Sequence, residues 1–140
     1  MKRLVTGIDP NGRSCVVEEA DVSRPDVTDI DQQAMFRTTA SPPPPRPAGH
    51  GADMDLGVAP GLVRWTIVEW PPDRDAPMHH TDTIDFDIVL AGSIDLILDD
   101  GAHHLEPGDC VLVNGVDHAW KSGPDGCTLS VVLLGSTPLT

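Results

Sequence analysis

From residue 61 onward, apolar and polar residues alternate in short runs divided by turn-forming residues. Leu62–Trp70 is rich in β-branched and aromatic residues, which predicts a strand that Pro71-Pro72 ends. Ile84–Leu90 predicts a second strand, with a turn at Ala91-Gly92 after it. In Ser93–Leu98 the residues Ile94, Leu96 and Leu98 share one face, and Asp99-Asp100-Gly101 is a hairpin signal. His103–Leu105, Cys110–Val113, His118–Lys121 and Cys127–Leu134 complete the set, with turns at 106–109 and at Asn114-Gly115. Upstream, Leu4–Gly7 and Ser14–Glu18 form a candidate hairpin around Asp9-Pro10-Asn11-Gly12, and Met35–Thr38 is another short strand. Ser41–Pro47 holds five prolines and is read as an extended, stiff surface connector.

Many short strands at such spacing predict an all-β sandwich or barrel. The chain divides into residues 1–60, an extension with short strands and a proline-rich connector packing on the rest, and residues 61–140, the barrel. Composition strengthens this reading. Among 140 residues are 14 Pro and 13 Gly, a density at which long helices are hard to place.

The formal net charge is −13. A field of that sign repels nucleic-acid phosphates and anionic membrane surfaces, so neither is an expected partner. No apolar run approaches the ~20 residues of a membrane span. The basic Met1–Gly7 segment has no apolar stretch behind it, so no secretory leader is read there. Cys15, Cys110 and Cys127 are odd in number and far apart, which suits buried, reduced thiols and a cytoplasmic setting. No phosphate cradle, dinucleotide fingerprint or nucleophile elbow is present.

Residues 77–134 carry a resemblance. His79-x-Thr81, three residues, Asp85, six residues and Gly92 match the spacing of the first cupin motif, G-x5-H-x-H-x3–4-E-x6-G. Asp73, Thr81 and Asp85 replace its first Gly, second His and Glu. Pro107-Gly108-Asp109 followed by Gly115-x2-His118 matches much of the second motif, with Ser122 at the terminal Asn position. The stretch resembles the cupin superfamily, small single-domain members of the conserved-barrel type in particular. That resemblance implies a double-stranded β-helix, or jelly-roll, barrel.

The resemblance also implies a site. Cupins that bind metal hold one divalent ion through inward His residues and a carboxylate, and the matching positions here are His79, Thr81, Asp85 and His118. Thr81 is a poor ligand, which leaves two imidazoles and one carboxylate for Mn, Fe, Zn or Ni. The alternative is a metal-free pocket in which Asp85 and His118 form a hydrogen-bonded acid–base pair. His79 and His80 are adjacent on a strand and should face opposite sides. Trp120 lies two residues from His118 and shares its face, so it is a candidate pocket wall with Thr81, Met78 and Phe86. His103-His104, beside a hairpin tip, and His50 are read as surface residues.

Three functions follow as expectations. The first is an enzyme of lyase or isomerase type that decarboxylates, dehydrates or isomerises a small molecule, with Asp85, His118 and His79 catalytic. The second is an Fe(II) dioxygenase using the same residues. The third is a binding protein without chemistry. An open jelly roll exposes sheet edges, so a homodimer is expected.

Overall fold

The computed structural model describes residues 1–140. It is all strand, with no helix: β1 Lys2–Ile8, β2 Ser14–Asp21, β3 Ala52–Asp53, β4 Val63–Trp70, β5 Asp75–His80, β6 Thr83–Leu98, β7 Gly101–Leu105, β8 Cys110–Val113 and β9 His118–Gly135. They form one sheet that curls on itself in the order β2-β1-β8-β6-β9-β5-β3, with β4 added on β9 and β7 on β6.

Two long strands organise this sheet. β6 has 16 residues and β9 has 18, and they pair antiparallel from Thr83↔Gly135 to Ile97↔Ala119. The turn read at Ala91-Gly92 is instead a bend inside β6, and the two segments read at 118–121 and 127–134 are one strand. Glycine signals a break in direction, and here the chain bends without reversing. Gly92 and Gly126 both have positive φ, and the register shifts on either side of Gly92. The Asp99-Asp100-Gly101 hairpin joins β6 to β7 as the dipeptide signal predicts. Its two carboxylates also accept the Ser14 and Val16 N–H groups at 2.8 and 2.9 Å, which ties the tip to β2.

Residues 1–60 are not a separate body. β1 and β2 form the expected antiparallel hairpin, and β1 also pairs in parallel with β8, so the hairpin extends the barrel's own sheet. The proline segment lies on the barrel. Pro43 is buried and its carbonyl accepts both the N–H and the hydroxyl of Thr137, while buried Arg46 meets Asp82 at 3.2 Å. Met35–Thr38 is not a strand, because it finds no strand to pair with. Phe36 instead packs its ring 5.8 Å from Phe86, on the outside of the barrel.

The core is a cluster of inward residues, chiefly Leu4, Val89, Ile94, Leu96, Leu105, Val113 and Leu129, closed at one side by Trp120. Cys127 is buried, Cys15 and Cys110 half-buried, and all three are free thiols.

Candidate functional site

One cavity, of about 350 Å³, opens inside the barrel. Strand alternation decides what lines it. On β6 the inward residues are Asp85, Asp87 and Val89, which stand opposite Leu133, Val131 and Leu129 of β9. Across β9 from them stand Arg64, Thr66 and Val68 of β4. Three rows result: Arg64–Leu133–Asp85, Thr66–Val131–Asp87 and Val68–Leu129–Val89. His118 and Trp120 enter from the start of β9, and His79 from β5, where it pairs with His118. Met54 and Leu56, from the loop after β3, complete the wall.

The walls are mostly apolar, and the polar groups within them are largely buried. The His79 and His118 rings lie 4.2 Å apart, and Trp120 meets His118 edge-on at 6.2 Å. His79 Nδ1 is 2.9 Å from the Pro77 carbonyl and His118 Nδ1 is 2.7 Å from that of Val116. A carbonyl only accepts, so Nδ1 is the donor in each ring and Nε2 is left for other partners. Burial, reinforced by the neighbouring His79, lowers the His118 pKa to about 4. At neutral pH its Nε2 therefore carries a lone pair.

The carboxyl groups are displaced the other way. Burial raises Asp85 to about 6, against the opposing effects of a 2.6 Å hydrogen bond from Thr83 and the positive charge of Arg64. Asp87 is pushed well above the ordinary carboxylate range, first by burial and then by the charge of Asp85. Its Oδ1 is buried without a hydrogen-bond partner.

A second buried pair fastens the loop that closes the cavity. Asp117 accepts hydrogen bonds from His50 N–H (2.5 Å), Gly51 N–H (3.0 Å) and His80 Nδ1 (2.8 Å). Burial raises its pKa, but these bonds outweigh that and hold it below the usual value. His80 thus turns away from His79, as strand alternation requires.

No family model matches the sequence. Phomopsin biosynthesis cluster protein C′ of Diaporthe leptostromiformis is 39% identical over 64 residues, covering 45% of this chain and 34% of that protein. The cupin-domain-containing oxidoreductase fogC of Aspergillus ruber is 26% identical over 127 residues, covering 84% of this chain and 62% of that one. Among solved structures, a protein of unknown function from Rhizobium leguminosarum superposes with a TM-score of 0.50 at 18% identity, over 54% of this chain and 72% of that one. The chain spans from about a third to under two thirds of the curated relatives it matches.

The chain folds as an all-strand barrel of the jelly-roll type, and its sequence is similar to that cupin-domain-containing protein over most of its length.

Cupin barrels imply a metal, and the donor set here can be tested against one. His79 and His118 come together, but Thr81 bonds Thr83 at 2.9 Å and Asp85 is turned to Thr83 as well. No three His, Cys, Asp or Glu side chains converge closely enough to hold an ion. The residues as arranged do not make a three-ligand centre, and no step below passes through one. The alternative Asp85–His118 hydrogen bond is absent too: Asp85 accepts from Thr83, and His118 bonds only the Val116 carbonyl, through Nδ1. The two share the cavity without touching.

Of the expected wall residues, Trp120 lines this cavity, whereas Thr81, Met78 and Phe86 do not. Thr81 is enclosed between strands, and Phe86 points out of the barrel because it alternates with Asp85 and Asp87. His103 and His104 lie on the surface of the β6–β7 hairpin, each 2.6 Å from a carboxylate, Asp100 and Asp95 respectively. Asp87, Arg64 and the Met54–Leu56 loop also line the cavity without having been singled out by the sequence. Asp87 was recoverable, since it lies two residues from Asp85 and so must share its face. The loop carried no periodic signal.

Proposed function

We propose that this protein is a small-molecule enzyme that catalyses non-redox proton transfer in its barrel, as an isomerase or lyase: isomerisation, dehydration or decarboxylation. One observation supports the reading above the rest. Two carboxyl groups and two imidazoles line one apolar cavity, and the surroundings raise the pKa of both carboxyls while lowering that of His118. A neutral imidazole and a carboxyl that holds its proton to higher pH, lining one cavity, offer a base and an acid to the same ligand. His118 Nε2 accepts a proton from a substrate carbon or hydroxyl. Asp87 donates to the oxygen on which charge develops, and Asp85, with its pKa of about 6, serves as the second base. The apolar walls exclude water and strengthen both interactions.

The test is deuterium incorporation from D2O, followed by NMR, into a panel of aromatic acids, keto acids and β-hydroxycarbonyl compounds. The wild-type protein is expected to exchange or convert at least one member. His118→Asn should lose ~10²-fold or more, the range of a positioned base. An unreactive panel, or equal rates in His118→Asn, counts against the reading. A second reading is the Fe(II) dioxygenase, favoured to the extent that the similar Aspergillus protein is an oxidoreductase. It predicts Fe²⁺-dependent oxygen consumption that survives Asp87→Asn.

We also propose a homodimer. β4 pairs only with β9, and its outward residues Val63, Trp65 and Ile67 are 63%, 74% and 51% exposed. A free edge beneath a large exposed apolar stripe suits a second copy. Light scattering should give twice the 14.9 kDa chain mass, and Trp65→Lys should return it to one.

A further inference from the structure

Three features of the cavity bear on what it holds. The first is Arg64. It lines the cavity while reaching solvent, and it makes no ion pair, unlike Arg3, Arg13, Arg24 and Arg46. It is the one Lys or Arg in the cavity wall, in a chain of net charge −13. A guanidinium so placed, without a carboxylate bound to it, has its planar donor fork open to an anion. The second and third features are orphaned polar atoms. Trp70 Nε1 and Asp87 Oδ1 are buried with no partner, and both residues line the same cavity. Buried polar atoms without partners are rare and costly, and a ligand is one thing that satisfies them.

The spacing of these groups orders them. Arg64, Thr66, Val68 and Trp70 alternate inward along β4, so Arg64 and Trp70 stand at opposite ends of the apolar wall, roughly 20 Å apart along the strand. Both are long side chains and shorten that gap. Asp87 lies between them, in the Thr66 row. A volume of about 350 Å³ is at the small end of ligand cavities, enough for a molecule of one or two rings.

We propose that the cavity takes an oxygen-substituted ring carboxylic acid: its carboxylate is held by Arg64 at the solvent end, its ring lies against Val68, Leu129 and Val131, and its hydroxyl or carbonyl oxygens meet Asp87 and Trp70 Nε1. The net charge of the protein would repel such an anion, and Arg64 offsets this locally. The proposal rests on the cavity being the working site, and it names the class of substrate admitted there.

Calorimetry with four probes tests it: 4-hydroxycinnamate, cinnamate and the amides of both. The wild-type protein should bind 4-hydroxycinnamate at least ten-fold more tightly than its amide. Arg64→Gln should abolish that preference with amide binding unchanged, and Arg64→Lys should restore part of it. Arg64 is exposed, so its variants should melt with the wild type. Trp70→Phe should remove the advantage of 4-hydroxycinnamate over cinnamate and leave the acid-over-amide ratio intact. Equal binding of acid and amide, a preference that survives in Arg64→Gln, or no binding of any probe at millimolar concentration overturns the proposal. Failure is separable from that of the enzyme reading. An Arg64-dependent preference without proton exchange removes the enzyme and keeps the ligand class. Turnover that treats acids and amides alike removes the ligand class and keeps the enzyme.

Discussion

Gly92→Ala is expected to cost roughly 3–5 kcal/mol and to lower Tm by more than ~10 °C. Gly92 is where β6 bends, and it faces the matching bend of β9. A Cβ there would lie 2.0 Å from the Gly126 carbonyl oxygen and 2.8 Å from its carbon. Those atoms are backbone in the middle of the longest strand pair, so no side chain can rotate aside to make room. The φ of 71° adds a penalty of about 1–2 kcal/mol for any residue with a Cβ. Gly12→Ala separates the two causes. Its φ is 76°, yet nothing lies within 4 Å of the added carbon, so it should lose only that smaller amount. Thermal melts of the two variants decide the matter, and equal Tm values would mean that the close approach of the strands is not what requires glycine.

Asp87→Asn should produce a protein that is more stable in base and catalytically dead. Asp87 and Asp85 both hold their protons to higher pH in the folded chain than in the unfolded one. Wherever the folded state binds the extra proton, raising the pH favours unfolding. For Asp85, displaced from 3.8 to about 6, the resulting loss is roughly 3 kcal/mol by neutral pH, before relaxation of the site is allowed for. His118 works in the opposite sense. Its folded value of about 4 lies below the unfolded 6.5, so its contribution is lost as the pH falls through that interval. Between pH 4 and 6 the slopes of Asp85 and His118 oppose one another and the stability profile is shallow. At higher pH the profile falls as Asp87, which burial and the charge of Asp85 hold above the ordinary carboxylate range, gives up its proton. Asparagine keeps the shape and removes the ionisation, so the variant should gain on the order of 1–3 kcal/mol at pH 9 and little at pH 5. Turnover should drop ~10²–10⁴-fold at every pH. Denaturant titrations at the two pH values measure the first effect. A variant no more stable than the parent at pH 9 would show that Asp87 ionises without penalty.

The sequence carried the strand positions well where alternation was clean, as in Leu62–Trp70 and Ile94–Leu98, and it placed His118 and Trp120 on one face by simple period-two counting. It misled at glycines. Gly92 and the Pro124-Asp125-Gly126 segment have the composition of turns, and only pairing between residues far apart in the chain makes them bends within continuous strands. β5 was passed over because Pro77 interrupts it, and proline is tolerated there where the register slips between Ala76 and His79. The site was half legible. His79, Asp85 and His118 were found from motif spacing, but spacing does not say where a carboxylate turns, and Asp85 turns to Thr83. The Asp117–His80 pair, 37 residues apart, and the Met54–Leu56 loop depend on tertiary closure that no local pattern encodes.

β6 and β9 have a bearing on how the barrel comes apart. Each strand runs continuously through its bend and is paired with the other on both sides of it. β2, β3, β4 and β7 each pair with a single neighbour and can leave without breaking this shared ladder, so partial melting is confined to them and to the loops, while β6 and β9 part only together. Amide exchange should accordingly find one deep opening energy common to β6 and β9 from end to end, equal to that of global unfolding. The barrel's two halves form a single cooperative unit, and damage to either half is felt by both.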